Sequence, residues 1–278
     1  MAEPHDRPKA AAPSDPADVP LPYADRPVAT APGHWVLARA GKRVLRPGGA
    51  ALSAAMLARA RLAGADVVEM APGLGRTAAE IMKAGPASYT AIDRDPQAAA
   101  RVAAVVGDRG TVRQGEAAAT GLPDACADVV VGEAMLTMQG DKGKAAIVAE
   151  AVRVLRPGGR YAIHELGVVP DDIDQDHYTE LRKDLARAIH VNARPMTAAA
   201  WRQLMEDAGL KVEWVGTAPM ALLKVGRNLR DEGLRGALRM VRNILRDKEL
   251  RARILQMRAV FTRYKKDMVG IALVARKP

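Results

Sequence analysis

Residues 66–78 read DVVEMAPGLGRTA, an apolar run closed by an acid and followed by two glycines, Gly73 and Gly75, and then a helix-like stretch. Such a junction joins a buried strand to the start of a helix, with glycine where the chain needs positive φ or where a ligand approaches the backbone. A chain built around it is committed to an α/β sheet that holds its ligand at the strand ends. The glycines do not by themselves name that ligand. Gly75 is followed by Arg76 and Thr77, so the Gly-Lys-Ser/Thr of a P-loop is missing and phosphoryl transfer is disfavoured. The run Gly73-Leu74-Gly75-Arg76-Thr77-Ala78 does satisfy G-x-G-x-x-G/A, with the acid Asp93 eighteen residues beyond Gly75, which leaves a dinucleotide fold open.

The pattern around the turn alternates. ADVVEM, SYTAID, GTVRQGE, ADVVVGE and GRYAIHEL read as strands, and GRTAAEIMKAG, PQAAARVAAVVG and KGKAAIVAEAVRVL read as the helices between them. Parallel strands need such crossovers, so a doubly wound sheet covered on both faces is expected. Two helical segments follow between residues 171 and 209, then the strand-like KVEWVGTAPMALL, a helical stretch from 226 to about 264, and a last strand, DMVGIALVA. The heptapeptide RVLRPGG occurs at 43–49 and 153–159 with unlike flanks, and reads as a shared helix stop.

Of the 278 residues 49% are hydrophobic, enough for one large domain with additions. Residues 1–32 carry eight of the 18 prolines and one aromatic, Tyr23, and are expected to be disordered. Residues 33–63, beginning HWVLARAGKRVL, are expected to form an N-terminal helical lid, and 64–278 the main domain, with further lid helices at about 171–209. The single cysteine, Cys126, allows neither a disulfide framework nor a cysteine-rich metal site, and no metal is expected. No apolar run reaches the roughly 18 residues of a membrane span, nor does the N-terminus show a secretory core. A soluble, cytoplasmic protein without an integral membrane segment is therefore expected.

Residues 66–166 resemble the class I S-adenosylmethionine-dependent methyltransferases, in their small-molecule branch. Glu69-Met70-Ala71-Pro72-Gly73-Leu74-Gly75 matches the family's first motif, and Asp93 in YTAID matches its second-strand acid. Glu116-Ala117 with Leu122-Pro123 matches the adenine-side element, Asp128 to Val131 the fourth strand, and Arg153 to Gly159 the R-V-L-x-P-G-G signature. The resemblance implies a Rossmann-like sheet of seven strands, mostly parallel, with an antiparallel last strand that dehydrogenases lack. It also implies S-adenosylmethionine as the cofactor, held by Glu69, Ala71, Gly73, Gly75, Asp93, Arg94, Glu116, Ala117 and Glu133. Asp93 would take the ribose hydroxyls and Glu116 the adenine end, while Glu69 would set a negative charge near the cationic methionine part. Ala71, where the family usually has glycine, departs from the pattern and narrows the turn.

Methyl transfer is an in-line displacement that requires alignment, and a base only when the acceptor is protonated. The strand-end rule places Glu133, with Ala134 and Met135, and His164 and Glu165 near the reacting methyl, so Glu133, His164 and Glu165 are the candidate catalytic residues. His34-Trp35 and His177-Tyr178 are weaker candidates on helices that could cover the site. GEAMLTM after the fourth strand lacks an Asn/Asp-Pro-Pro-Tyr/Phe motif, which disfavours an amino group of a nucleobase or of glutamine as acceptor. Cys126 follows Ala125 rather than Pro, unlike the nucleophile of cytosine methylation. The segments that would wall the acceptor pocket supply Met, Leu and Ala, which suggests a small lipophilic acceptor.

The net charge of +10 is concentrated late in the chain, with 16 Lys+Arg against 5 Asp+Glu in residues 224–278. Within the basic helical insertion of about 226–264, Leu234, Leu238, Val241 and Leu245 repeat at helical spacing beside Arg235, Arg239, Arg242 and Arg246. Three readings compete: an anionic membrane surface, a nucleic-acid backbone that would make RNA the substrate, or an amphipathic helix whose apolar stripe packs on the domain. Against RNA stands an aromatic content of 3%, too low for a base-stacking surface. A relative that binds the cofactor without turnover is a further alternative.

Overall fold

The computed structural model describes residues 15–16, 19–220 and 225–278, excepting the side chains of 225–231. Its seven-stranded sheet comprises β1 (Asp66–Met70), β2 (Ser88–Asp93), β3 (Thr111–Gln114), β4 (Ala127–Glu133), β5 (Leu155–Val168), β6 (Lys211–Pro219) and β7 (Met268–Arg276). The spatial order is β3-β2-β1-β4-β5-β7-β6. Strands β1 to β5 run parallel, whereas β7 lies antiparallel between β5 and β6. The expected sheet with its antiparallel last strand is thus found. The order reverses between β1 and β4, whose carboxyl ends open the crevice where such sheets take ligands.

The near-continuous apolar strands β1 and β4 are buried because helices cover both faces. On one face, α5 (Asp141–Val154) and α7 (Ala198–Asp207) bring Val148, Ala151, Trp201 and Met205 onto Val130, Ile163 and Leu273. On the other, α2 (Gly49–Ala60), α3 (Arg76–Lys83) and α4 (Pro96–Val106) pack Met56, Ile81 and Val102 against Val67, Val131 and Val274. Local signals set these helices: Asp95 accepts hydrogen bonds from the N–H groups of Gln97 and Ala98, and Pro96 occupies the first turn of α4. Smaller clusters join α1 (Gly33–Arg39), α6 (Gln175–Ile189) and α9 (Lys248–Arg263), with Leu37, Ala188 and Met257 in contact. The remaining helix, α8 (Val225–Arg246), is interrupted at Gly233.

Several expectations need correction. Residues 1–14 and 17–18 lie outside the described residues, but 19–32 form turns that pack on the domain. Val19 and Ala31 are buried, Tyr23 stacks on Trp35, and Arg39 donates to the carbonyl of Tyr23. This contact surface comes from other parts of the chain, so the composition of 1–32 did not reveal it. The helix expected over 34–45 stops at Arg39, and residues 41–46 run extended after Gly41 (φ 102). Of the expected lids, α2 is a sheet-covering helix, and so is α7, whose Trp201 is fully buried. The helix α6 packs on α9 and α1.

The turn that follows this segment, at Pro47 and Gly48, is pressed against the sheet. A Cβ built on Gly270 of β7 would collide with the backbone of Pro47 and Gly48. Gly270→Ala is therefore expected to destabilise the protein by about 1–3 kcal/mol, a loss typical of overpacking, which denaturant unfolding would measure. An unchanged midpoint would show that the turn is not held there.

Candidate functional site

Three chain reversals meet at the crevice. After β1 the backbone turns through Ala71 (φ 54), Gly73 (φ 56) and Gly75 (φ 73), with the N–H of Ala71 on the Ile92 carbonyl at 2.8 Å. Glycine adopts this region freely, whereas Ala71 does so at a cost of roughly 1–2 kcal/mol. Asp93, at the end of β2, clamps the turn: Oδ2 accepts from the N–H of Gly73 (3.1 Å) and Oδ1 from that of Asp95 (3.0 Å). Burial raises its pKa against those two hydrogen bonds. After β4 the chain turns left-handed again at Ala134 (φ 54).

The segment after β4 hangs on Glu165. Its carboxylate accepts from the N–H groups of Met135 (2.9 Å), Leu136 (2.8 Å) and Thr137 (3.0 Å), and from the Thr137 hydroxyl (2.7 Å). His164 is equally committed: Nε2 accepts from the N–H of Gly48 (3.0 Å), and Nδ1 lies 2.9 Å from the Ser53 hydroxyl. Both side chains are 0% exposed. The expectation that they stand at the reacting methyl is corrected accordingly. They anchor the loops that shape the crevice and do not line it, because their strand continues under α2 and the segment after β4.

Glu133 does line the crevice, within an ion-pair network that the sequence did not disclose. Arg46, in the extended segment, sets Nε 2.5 Å from Glu133 Oε2, and its other nitrogens reach Thr77 Oγ1 (2.7 Å) and Glu80 Oε2 (3.2 Å). The Thr77 hydroxyl donates to Glu133 Oε2 at 2.8 Å. Burial alone would raise the carboxyl pKa of Glu133, but Arg46 and then His164 outweigh it and hold it down at about 2. Its Oε1 is buried with no hydrogen-bond partner, 3.8 Å from His164 Nδ1.

Glu69 differs. It lies under the turn and accepts the Tyr89 hydroxyl at 2.5 Å. Burial pushes its carboxyl up to about 8, the Tyr89 hydrogen bond opposing and Glu133 adding to the rise. The negative charge expected at Glu69 is thus suppressed at neutral pH, and Glu133 carries it instead.

Together these elements enclose a cleft of about 390 Å³. Of the expected cofactor residues, Ala71, Gly73, Asp93, Arg94, Glu116, Ala117 and Glu133 line it, whereas Glu69 and Gly75 do not. Arg46, Thr77, Met135 and Met138 complete the walls with His34 and Trp35 of α1. Burial and then Arg94 lower the pKa of His34 to about 4. From the lid helices expected at about 171–209 only Val191, just beyond α6, reaches the lining, whereas the N-terminal segment expected as a lid supplies His34, Trp35, Arg43, Leu45 and Arg46. His177 instead faces Asp267 (3.3 Å), and the Tyr178 hydroxyl donates to the Pro195 carbonyl.

A larger cleft of about 520 Å³ lies across the turn, lined by Leu74, Gly75 and Arg76 with Lys42, Arg43, Arg101 and Arg239. Asp15 is its only acid, so its field opposes a cationic ligand. The smaller cleft fits S-adenosylmethionine by contrast. Glu133 Oε1 lacks a donor there, and a Cβ on Gly73 would meet nothing nearer than the Ala71 carbonyl at 4.0 Å, which leaves the turn open to a ligand.

A model of the "Methyltransferase domain" family matches residues 68–163, spanning β1 to β5. An uncharacterised protein of Haemophilus influenzae is 31% identical over 220 residues, 77% of this chain and 86% of that protein. The chain belongs to the class I S-adenosylmethionine-dependent methyltransferases. A probable S-adenosylmethionine-dependent methyltransferase of Mycolicibacterium smegmatis is 33% identical over 153 residues, covering 55% of this methyltransferase and 54% of that one. The crystal structure of the [4+2]-cyclase SpnF superposes with a TM-score of 0.63 at 18% identity, over 82% of this chain and 80% of that one, a likeness of fold alone. The enzyme's cofactor is S-adenosylmethionine. Among the described residues no helix is long and apolar enough to cross a membrane, and no group of three or more His, Cys, Asp or Glu could hold a metal.

Two outcomes test the electrostatics. Arg46→Met strands the buried Glu133 charge and is expected to destabilise the protein by about 3–5 kcal/mol, most of which Glu133→Gln should restore in the double variant. Additive losses in denaturant unfolding would refute the pairing. Because folding raises the Glu69 pKa, the stability that this group contributes is complete below its ordinary value of 4.5 and falls as pH rises to about 8. Glu69→Gln should flatten thermal stability across that window, and an unaltered pH slope would show that Glu69 ionises freely.

Proposed function

We propose that the enzyme transfers the methyl group to a small, lipophilic metabolite bound in the 390 Å³ cleft. One observation carries this reading: beside its polar residues the cleft is lined by the apolar side chains of Trp35, Leu45, Met135, Met138, Ile147 and Val191. A volume in the range of about 300–1,000 Å³, mostly apolar with a few polar groups, suits a small molecule. Methionine side chains such as Met135 and Met138 adapt to irregular aliphatic shapes.

S-adenosylmethionine supplies an electrophilic methyl group on a sulfonium centre. In this reading Ala71 and Gly73 leave room for its methionine part, and the Glu133 carboxylate accepts from its ammonium group. Asp93 is at the ribose, and Glu116 and Ala117 are at the adenine side. Arg46 holds the Glu133 carboxylate in place through Oε2, and Oε1, which has no hydrogen-bond partner, is the acceptor for the ammonium group. A base is not evident: His34 is held near pH 4, and Glu133 and Asp93 are engaged in the network and the turn. The chemistry therefore favours an acceptor that is nucleophilic without losing a proton to the protein, with the protein acting by alignment and exclusion of water.

Calorimetric titration with S-adenosylmethionine and with NAD tests the site. Binding of the former in the micromolar range, weakened at least tenfold by Asp93→Ala, is expected, together with no heat from NAD. Labelled methyl donor added to an extract should then mark the organic-soluble fraction. Label confined to RNA, or to protein, would overturn the acceptor reading.

A further inference from the structure

The helix α8 does not pack as an amphipathic helix packed on the domain should. Beyond Gly233 its inner face is seated on the 40–46 segment: Gly236 and Met240 are buried, and Asn243 Nδ2 donates to the Ala40 carbonyl at 3.3 Å. Glu232 fixes the same segment by accepting the N–H groups of Arg43 and Val44, both at 2.8 Å. The apolar stripe noted in the sequence points the other way. Leu234, Leu238, Val241 and Leu245 are 67%, 61%, 54% and 62% exposed. Among the described residues the only other exposed large hydrophobic is Leu255, on α9. The expectation that this stripe packs on the domain is therefore reversed, because Gly236 and Met240 occupy the packed face.

At 100° per residue the four aliphatic side chains fall within an arc of about 60°, along a helix of about 20 Å. Arg235, Arg239, Arg242 and Arg246 take the adjoining arc. All four are exposed, and among the described residues none of the ion pairs involves them. No acid lies between Glu232 and Asp247. Arg239 also lines the 520 Å³ cleft, where Arg43, Arg76 and Arg101 gather, and the N–H of Arg101 Nε is buried without a partner. The cationic field thus continues from the helix into a concave site beside it.

We propose that residues 234–246 of α8 are an interfacial helix that docks the enzyme on an anionic lipid bilayer, with the aliphatic stripe in the acyl boundary and the arginines and the basic cleft among the headgroups. A row of leucines flanked by arginines has this occupant as its chemical complement. A second copy of the chain fits less well, since twofold pairing through the stripe would set one arginine row near the other. A nucleic-acid backbone would neutralise the arginines but leave the aliphatic side chains in water. The proposal rests on α8 and is independent of the acceptor. The basic cleft shares Arg43, Leu74 and Arg76 with the reaction cleft, so docking would bring the membrane surface to the outer wall of the catalytic site.

The test is co-sedimentation of the full chain with vesicles of phosphatidylcholine alone and of phosphatidylcholine mixed with phosphatidylglycerol. Binding to the mixed vesicles only is expected, weakened by salt and indifferent to inorganic phosphate exchanged for chloride at constant ionic strength. Leu238→Ser/Leu245→Ser should weaken it by roughly tenfold or more, and Arg235→Gln/Arg242→Gln by roughly 30-fold. These side chains are exposed, so both variants should keep the wild-type melting temperature. The proposal is overturned if mixed vesicles are ignored, if the leucine pair binds them as well as the parent, or if inorganic phosphate displaces the enzyme. It is equally overturned if the leucine substitutions dissociate a dimer while vesicles are ignored, or if homopolymeric RNA binds and is lost with the arginine but not the leucine substitutions.

Discussion

The buried contact between Arg46 and Glu133 is the interaction around which the catalytic end of this methyltransferase is arranged. A guanidinium removed from water needs its partners in fixed positions, and here they come from two elements: Glu133 at the end of β4, and Thr77 and Glu80 on α3. The 41–46 segment ends on that anchor, and Gly48 just beyond it packs closely on β7. The glycine turn, the strand end and the N-terminal segment thus form one unit. Arg46 faces Glu133 and Glu80, Arg76 also pairs with Glu80, and the buried Glu69 is largely neutral, so the network is close to charge-balanced.

The sheet was legible because its signals are local. DVVEM, SYTAID and ADVVVGE state their burial by composition, and the turn glycines state their backbone by φ. The positions of Ala71, Gly73, Asp93, Arg94, Glu116, Ala117 and Glu133 around one cleft follow from strand order. His164 and Glu165 were misjudged because a strand-end position does not reveal which face or loop claims the side chain. Both became hydrogen-bond partners of buried backbone, which a single sequence does not show. Arg46 went unseen for the opposite reason. Nothing in RVLRPGG distinguishes a buried arginine from a solvated one, since the partner that buries it is distant in the chain. The leucine stripe was seen, but its direction depends on which face the 40–46 segment occupies.

Ala71 shows how such a site tolerates departure from its family's usual glycine. The left-handed conformation is imposed from outside by the Ile92 carbonyl and by the Asp93 clamp on Gly73, so the turn keeps its shape although one residue in it is strained. Ala71 is itself part of the cleft lining, beside Pro72 and Gly73.

The place of β7 between β5 and β6 has a consequence for how the chain reaches this structure. As the polypeptide leaves the ribosome, β6 emerges with no strand to pair with, because the slot beside β5 belongs to a segment made later than α8 and α9. The edge of β5 stays open during that interval, and an open apolar edge invites mispairing. Closure of the sheet by β7 is a late, long-range event, and it also presses Gly270 under Gly48. Packing of the chain just beyond Arg46 is therefore coupled to the last strand, since Gly48 has no surface to close on until Gly270 is in place.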